Sequence, residues 1–281
     1  MNRSSGRTRA RALASLLSIT WACALVFSSF AHAGGPLPGT ERAMAVQNPD
    51  HAGDHAMGSQ IRKHESGDPG AVPDPTPLAT VAGIDVSSHQ GNVDWQHWWN
   101  QGKRFAYAKA TEGTSYENPY FAQQYNGSYD VGMIRGAYHF ALPDRSGGAD
   151  QANYFLAHGG GWSPDGRTLP GALDIEPNPY GQTCYNLSSG AMNAWIKDFC
   201  DTYHARTGRW PVIYTNAGWW TQCANGDFAA TSPLWLAHYG DSVGQIPPTW
   251  GVHTLWQFTS EPIDKNLFNG DFARLQALAH G

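Results

Sequence analysis

Basic residues are scarce in this sequence, which has 18 Lys and Arg against 23 Asp and Glu and a formal net charge of −5. Four of the basic residues are arginines within the first eleven positions, so the rest of the chain carries 14 basic residues and a formal charge of −9. Nucleic-acid binding needs clustered Lys and Arg to neutralise phosphates. Because no basic stripe is present, we expect no nucleic-acid partner.

Cysteine is also rare, with four residues in 281. Cys23 lies in an apolar N-terminal run, which leaves three cysteines, enough for one disulfide and one free thiol in an oxidising compartment. Cys200 is placed on the apolar face of a predicted helix in MNAWIKDFCDTYHAR. Cys184 and Cys223 both lie in loops rich in Gly and Asn. We therefore predict a disulfide between Cys184 and Cys223.

Long apolar runs are absent apart from LASLLSITWACALVFSSF near the N-terminus. This run follows an arginine-rich start and ends in the small-residue stretch Ala31-His32-Ala33. The pattern predicts a signal peptide over residues 1–33 and a secreted, extracellular protein. A retained membrane anchor is the alternative, but the small-residue exit and the lack of basic residues beyond it argue against that. No membrane association is expected after removal of the signal.

Residues 34–78 contain few aliphatic side chains and much Gly, Pro, His and Asp. This composition predicts a disordered leader. Its histidines, His51, His55 and His64, offer a metal site as an alternative, but they have neither Cys partners nor a fixed helical spacing. We predict a polar linker, no metal and no cofactor. Residues 79–281 lack internal repeats and are enough for one domain with a sizeable core, which we expect to be monomeric.

Short apolar segments alternate with segments of helical length through most of this domain. The predicted strands are TVAGIDVSS, RFAYAKAT, MIRGAYHF, LPGALDIE, WPVIYTN, SPLWLAHY and HTLWQFT. Helix-length segments separate the earlier strands, whereas the later strands follow one another with less helix between them. Alternation of this kind favours parallel strands in βα units. We predict an α/β fold, a barrel of βα units that becomes irregular in its last third.

Two carboxylates, Asp174 and Glu176, stand one residue apart at the end of the strand LPGALDIE. Residues i and i+2 of a strand point to the same side, so both should face one cleft. Like charges held so close are unfavourable unless one carries a proton or a ligand compensates. Asp85 occupies a similar strand end, and Asp264 follows the last predicted strand. Four acids at one barrel mouth are typical of a glycosidase cleft.

Other roles are open to these acids. An Asp-x-Glu at a strand end also occurs as a helix cap, a ligand pair for calcium or magnesium, or a solvated rim. Asp85 has Ser87 and Ser88 beside it and is a candidate cap for a following helix. Sites for hard cations concentrate several oxygen ligands in one short segment, whereas this chain spreads its acids over three strands.

Aromatic residues make up 12 % of the chain, and several stand at strand ends beside the acids. Core packing explains most of them. Tyr107, Tyr138, Tyr214 and Trp256 are candidates for stacking against sugar rings, with Gln257 as a hydrogen-bonding neighbour.

Six ordered motifs, GIDVSSHQG, FAYAKATEG, RGAYHF, LDIE, VIYT and LWQF, resemble those of the glycoside hydrolase family 25 muramidases, the Ch-type lysozymes. The resemblance runs from about Gly83 to the C-terminus. It implies a flattened (β/α)5(β)3 barrel with five βα units followed by antiparallel strands, and a catalytic domain over residues 79–281. It also implies hydrolysis of the β-1,4 bond between N-acetylmuramic acid and N-acetylglucosamine in peptidoglycan glycan strands.

The family's acids correspond by motif to Asp85, Asp174, Glu176 and Asp264. Asp264 departs from the pattern, because this chain reads TSEPIDKNLF where family members have a longer loop before V-D-x-N-x-F. Glu176 is the expected general acid, since burial and the charge of Asp174 should retain its proton. Asp174 then acts at the anomeric side, where it orients either the 2-acetamido group of the substrate or a water.

Two rival functions differ in class. A chitinase-like N-acetylglucosaminidase also uses Asp-x-Glu, but within D-x-x-D-x-D-x-E, and here Ala172 and Leu169 replace the earlier acids. A non-catalytic glycan-binding module would use the aromatic residues alone. Retention of all four acids favours an enzyme.

Overall fold

The computed structural model describes residues 54–64 and 79–281, which belong to one compact unit. The predicted signal peptide and the remainder of the leader lie outside these residues. Within the described ranges, no helix is both long enough and apolar enough to span a bilayer.

Eight strands close into a barrel, in the order β1-β9-β8-β7-β6-β5-β4-β2, with β2 pairing back to β1. The two-residue strand β3 adds to the outer edge of β2. This arrangement confirms the predicted (β/α)5(β)3 barrel. The strands are β1 Val81–Val86, β2 Phe105–Glu112, β3 Tyr116–Glu117, β4 Ile134–Phe140, β5 Ala172–Asp174, β6 Val212–Thr215, β7 Leu234–Ala237, β8 Leu255–Thr259 and β9 Lys265–Phe268.

The irregular last third differs from the expected run of antiparallel strands. β7 pairs parallel with β6, and β8 pairs parallel with β7. Only β9 runs antiparallel to its neighbours among the strands that close the barrel. The return of β9 between β8 and β1 closes the barrel.

Helices cover the outside of the barrel. The longest, α5, begins at the N-cap Ser188 and ends at Gly208, which adopts the left-handed conformation that terminates many helices. Its buried residues recur at three- and four-residue spacing and pack against α4 and the outer face of the sheet. The helices are α1 Ile61–His64, α2 Trp95–Asn100, α3 Phe121–Asp130, α4 Gly148–Ala157, α5 Ser189–Thr207, α6 Ala217–Trp219 and α7 Phe272–His280.

Alternation along the strands produces separate inner and outer cores. On β5, Leu173 and the following Ile175 pack outward under the helices, whereas Ala172 belongs to the inner cluster. Leu275 of α7 joins that inner cluster from beyond the last strand. Ile61 also joins it, although it comes from the leader.

Residues 54–64, which we call the leader segment, differ from the expectation of a disordered leader. A turn over residues 57–60 leads into the single turn of α1. Met57 and Ile61 are both buried among barrel residues. The contacts that order this segment come from the barrel, which the composition of the leader does not reveal.

The predicted disulfide between Cys184 and Cys223 is confirmed, and it spans 39 residues from the loop after β5 to the π-helical turn that follows α6. Cys200 is a free, buried cysteine on α5 whose pKa burial raises to about 12.

Replacing both Cys184 and Cys223 by Ala should lower the free energy of unfolding by about 2–4 kcal/mol, because the unfolded chain then loses a cross-link. Urea unfolding measures the change. A reducing agent should destabilise the wild type to a similar degree and leave the double variant unaffected. Equal stability of oxidised wild type and variant would contradict this.

His139 on β4 is fully buried as a neutral ring. Its Nε2 donates to Gln151 Oε1 at 2.9 Å, and its Nδ1 accepts from the hydroxyl of Thr111 at 2.8 Å. Burial lowers the pKa of His139 from 6.5 to about 4. Between these two values the unfolded chain binds a proton that the folded protein does not, so His139 makes stability fall as the pH falls from 6.5 to 4.

A His139→Asn variant should therefore show a weaker pH dependence than the wild type in this window. The slope of unfolding free energy against pH should differ by up to about 1.4 kcal/mol per pH unit. Urea unfolding at several pH values measures both slopes, and other titrating groups cancel in the difference. Parallel profiles would show that His139 does not titrate as described.

Candidate active site

Asp174 and Glu176 lie together at the carboxyl end of β5. Asp174 is the last residue of the strand, Glu176 follows two residues later, and both are fully buried. Ile175 between them packs outward in the outer core. The i, i+2 alternation therefore places both carboxyl groups on the inner side, as the sequence predicts.

Burial disfavours the charged forms of both acids. It raises the pKa of Asp174 well above its usual range, and the nearby Glu176 raises it further. Burial also raises the pKa of Glu176 to about 8, although three backbone N–H donors and Lys109 act in the opposite direction. The site thus contains a carboxyl group that retains a proton near neutral pH beside a second acid.

Asp174 differs from Glu176 in its hydrogen bonding. None of the described residues donates a hydrogen bond to either carboxylate oxygen of Asp174. A buried carboxylate without protein donors is unusual in a folded protein and commonly has a functional role. Both oxygens are therefore available to a bound molecule.

Asp85 on β1 joins the same inner surface through a network of amides and phenols. Its Oδ2 accepts hydrogen bonds from Gln257 Nε2 at 2.9 Å and from Asn266 Nδ2 at 2.7 Å. Gln257 Oε1 in turn accepts from the hydroxyls of Tyr214 at 2.6 Å and Tyr239 at 2.9 Å. These contacts fix side chains on five strands or strand ends in one orientation.

Tyr138, Tyr214 and Gln257, predicted as substrate-binding residues, lie in this acid cluster. Asp85 and Asp174 both contribute to raising the pKa of Tyr138, although burial is the largest cause. Tyr214 is similarly affected, first by burial and then by Tyr239 and the acids. The phenols therefore remain protonated and act as hydrogen-bonding groups.

Tyr107 and Trp256 are placed elsewhere. Tyr107 packs inside the barrel against Trp235 and donates to the carbonyl oxygen of Pro170 at 2.9 Å, at the opposite end of β5 from the acids. Trp256 packs outside the barrel with Phe258 and Leu267. Because neighbouring residues of a strand face opposite sides, Gln257 and Trp256 cannot both face the cleft.

Asp264 lies immediately before β9 and is buried. Its backbone carbonyl oxygen accepts a hydrogen bond from the backbone N–H of Asp85 at 3.2 Å. This contact places the backbone of Asp264 next to Asp85 on β1.

Lys109 and Glu112 on β2 form a charged group that sequence analysis did not single out. Lys109 Nζ is fully buried and donates to Glu112 Oε2 at 2.6 Å. Burial acts to raise the pKa of Glu112, but Lys109 and His55 outweigh it and hold the pKa at about 2. The sequence does contain a signal for Lys109. It follows Phe105 and Tyr107 at two-residue spacing on β2, so its side chain points to the inner side with theirs.

The leader segment contacts the acids directly. Glu176 Oε1 accepts the backbone N–H of Gly58 at 2.9 Å, and Oε2 accepts those of Gln60 at 3.2 Å and Ile61 at 3.1 Å. The backbone N–H of Met57 donates to the hydroxyl of Tyr138 at 3.2 Å. Nothing in the local sequence of residues 54–64 indicates these contacts.

The described residues contain no group of three or more His, Cys, Asp or Glu side chains placed to hold a metal ion. His55 instead pairs through Nδ1 with Glu112 Oε1 at 3.0 Å, and the side chain of His64 is exposed. His51 lies outside the described residues. The carboxyl groups of Asp174 and Glu176 can transfer a proton and stabilise positive charge.

Comparison with known proteins gives consistent matches over the barrel. The sequence profile of "Glycosyl hydrolases family 25" matches residues 84–267. "Lysozyme M1" of Streptomyces globisporus is 50 % identical over 230 residues, which cover 75 % of this chain and 77 % of that protein. The "N,O-diacetylmuramidase" of Chalaropsis sp. is 47 % identical over 211 residues, which cover 72 % of this chain and 100 % of that protein.

A solved structure of a muramidase from Acremonium alcalophilum is 54 % identical, with a TM-score of 0.71, and the match covers 72 % of this chain and 99 % of that one. This share corresponds to about 202 residues, close to the extent of residues 79–281. That solved chain consists almost entirely of the matched barrel, so we expect residues 79–281 to fold as a unit. On its sequence motifs, its barrel and these matches, the chain belongs to glycosyl hydrolase family 25.

Proposed function

We propose that this glycoside hydrolase is a lysozyme that cuts the β-1,4 bond between N-acetylmuramic acid and N-acetylglucosamine in peptidoglycan, with Glu176 and Asp174 as catalytic residues. The observation that carries the proposal is the pair itself: Asp174 and Glu176 stand two residues apart on the inner side of the barrel mouth, and neither carboxylate oxygen of Asp174 has a protein donor. Lysozyme and muramidase are the names of its relatives at 46–54 % identity.

Glu176 acts as the general acid. Its carboxyl proton passes to the glycosidic oxygen as the bond from that oxygen to the anomeric carbon breaks, which leaves positive charge on the sugar ring. Asp174 faces that charge and orients the group that attacks the anomeric carbon. This group is the carbonyl oxygen of the 2-acetamido substituent or a water, and the anomer formed first, read by NMR, distinguishes retention from inversion.

Asp85 positions the cleft wall rather than transferring the proton. It anchors Gln257 and Asn266, and Gln257 in turn holds the hydroxyls of Tyr214 and Tyr239. Together with Tyr138 these groups offer hydrogen bonds and ring faces to an amino sugar. Asp264 supports Asp85 through the backbone contact.

The proposal also covers where the enzyme acts, its oligomeric state and its cofactor requirement. The enzyme acts outside the cell as a monomer on glycan strands, after loss of residues 1–33, and it requires no cofactor. The acidic surface charge suggests that some screening salt assists its approach to an acidic cell wall.

Fragment analysis of purified peptidoglycan tests the bond specificity. Residues 79–281 are incubated with the polymer, and the products are reduced with borohydride and identified by mass. A reduced N-acetylmuramic acid at the new end is expected. A reduced N-acetylglucosamine, or release of fragments from chitin but not from peptidoglycan, would instead support the chitinase-like alternative, and no release from either would support a binding module.

A further inference from the structure

We propose that the leader segment, residues 54–64, is an intramolecular inhibitor that occupies the substrate site and keeps the enzyme inactive until the segment is removed or displaced. The proposal rests on the assignment of Glu176 and Asp174 as catalytic residues. It is carried by contacts of the segment with three parts of the cleft.

The first part is the general acid. Both carboxyl oxygens of Glu176 accept backbone N–H groups of the segment, one from Gly58 and two from Gln60 and Ile61. A general acid must present its proton to the glycosidic oxygen within hydrogen-bonding distance. The three backbone donors on its two oxygens occupy the space next to Glu176 that the glycosidic oxygen would need.

The second part is the wall of tyrosines and amides that would otherwise receive a sugar. Gly58 lies so close to this wall that an added Cβ would stand 2.1 Å from the Tyr239 hydroxyl and 2.7 Å from both Gln257 Oε1 and the Tyr214 hydroxyl. Its φ of 77° is also a conformation that favours glycine. Gly58 is therefore the residue that permits the turn to enter the cleft.

Apolar side chains of the segment fill the same space. Met57 and Ile61 are 1 % and 0 % exposed, and they belong to the cluster that lines the barrel interior. The backbone N–H of Met57 also engages the hydroxyl of Tyr138. A saccharide cannot reach these faces while the two side chains are present.

The third part is a charged anchor at the rim. Lys109 Nζ donates to Asp54 Oδ1 and to the carbonyl oxygen of His55, each at 2.6 Å. Glu112 accepts the backbone N–H of His55 at 2.9 Å and pairs with its ring. Asp54 also accepts a hydrogen bond from the hydroxyl of Ser88. A buried ion pair depends strongly on its partners, so this anchor fixes the position of the segment.

Covalent linkage of the segment to the barrel increases the fraction of molecules in which the segment occupies the cleft. Only 14 residues separate the segment from residue 79. Linkage of this kind gives an effective concentration on the order of mM. A segment with an intrinsic dissociation constant of about 10 µM would then occupy the cleft in about 99 % of molecules. Cutting the tether removes this advantage and exposes the acids.

The test compares clearing of a cell-wall suspension by four proteins: residues 34–281, the same chain with Gly58→Val, the same chain with His64→Val, and residues 79–281. We expect residues 34–281 to be at least about tenfold slower than residues 79–281. Gly58→Val should restore most of the rate, because its side chain cannot fit against Tyr239. His64→Val, a change at an exposed position of the segment, should stay slow. Equal rates for residues 34–281 and 79–281 would overturn the proposal.

A binding measurement separates this proposal from the proposed function. A synthetic peptide of residues 51–66 is titrated into residues 79–281 and monitored by calorimetry, with a Gly58→Val peptide as the matched control. Calorimetry should show binding of the first peptide only. In the cell-wall clearing assay the same peptide should inhibit residues 79–281 competitively, and the control peptide should not. An active enzyme that does not bind the peptide would refute inhibition alone, whereas a folded protein that binds the peptide but never clears cell walls would refute the catalytic assignment, and with it the inhibitory role.

Discussion

Replacing Glu176 by Gln in residues 79–281 is expected to reduce hydrolysis of peptidoglycan by about a thousandfold or more. The amide retains the size of the side chain but has no proton to give to the leaving oxygen, and a general acid contributes about 10²–10⁴ in rate. The initial rate of reducing-end release measures the loss. Circular dichroism and urea unfolding should show an intact fold, because Gln also removes an acid that is unfavourable to bury.

Glu117→Gln is the matched control for this variant. Glu117 lies on β3 with a side chain 58 % exposed, paired with His158 on the surface. The same change of charge there should leave the rate within about twofold, since exposed ion pairs contribute little. A Glu176→Gln enzyme that is as active as this control would remove Glu176 from the role of general acid.

Replacing Asp174 by Asn should reduce kcat by about a hundredfold while KM changes little. Asp174 faces positive charge that develops only as the bond breaks, so replacing its carboxyl group by an amide acts on the transition state more than on binding. Steady-state kinetics on a soluble peptidoglycan fragment separates kcat from KM.

The pH profile of the Asp174→Asn enzyme gives a second readout. Two acids that lie close together raise each other's pKa. Removal of one charge therefore lowers the pKa of Glu176, and the alkaline limb of the rate profile should move to lower pH. Asp241→Asn, at an exposed position, is the control and should change neither kcat nor the profile. A large rise in KM with an unchanged alkaline limb would reduce Asp174 to a binding residue.

Seven of the nine strands were predictable because they are short runs of apolar and β-branched residues, whereas β3 and β9 were not among the predicted segments. In LDIE the alternation alone places Asp174 and Glu176 on the inner side and Ile175 on the outer side, as observed. The disulfide was predictable for a similar reason, because the third cysteine falls on a buried helical face. Local patterns therefore account for most of the strands and for the central pair of acids, whereas the closed (β/α)5(β)3 barrel was implied by the resemblance to the family.

Trp256 and Tyr107 were predicted to line the cleft, but the structure places the side chain of Trp256 outside the barrel and the hydroxyl of Tyr107 at the start of β5. Trp256 was selected together with its neighbour Gln257, although consecutive residues of a strand face opposite sides. Tyr107 does face inward and pairs in register with Asp85, but its ring packs against Trp235 and its hydroxyl reaches Pro170 at the start of β5. Lys109, two residues further along the same strand, is the residue that reaches the rim.

The contacts of the leader segment could not be predicted from its local sequence. Its sequence is mostly polar, which is typical of a linker. Gly58 acquires its role only through contacts with Glu176, Tyr214 and Tyr239, more than 100 residues away along the chain. Such a role depends on the assembled barrel and cannot be inferred from composition.

The most direct test of the catalytic account uses aryl glycosides with leaving groups of different basicity. A phenol of low pKa leaves without protonation, whereas a sugar hydroxyl requires the proton of Glu176. Residues 79–281 carrying Glu176→Gln should therefore hydrolyse an activated aryl glycoside of the cleaved amino sugar nearly as fast as the wild type and fail on peptidoglycan. Loss of both activities to the same extent would contradict general-acid catalysis by Glu176.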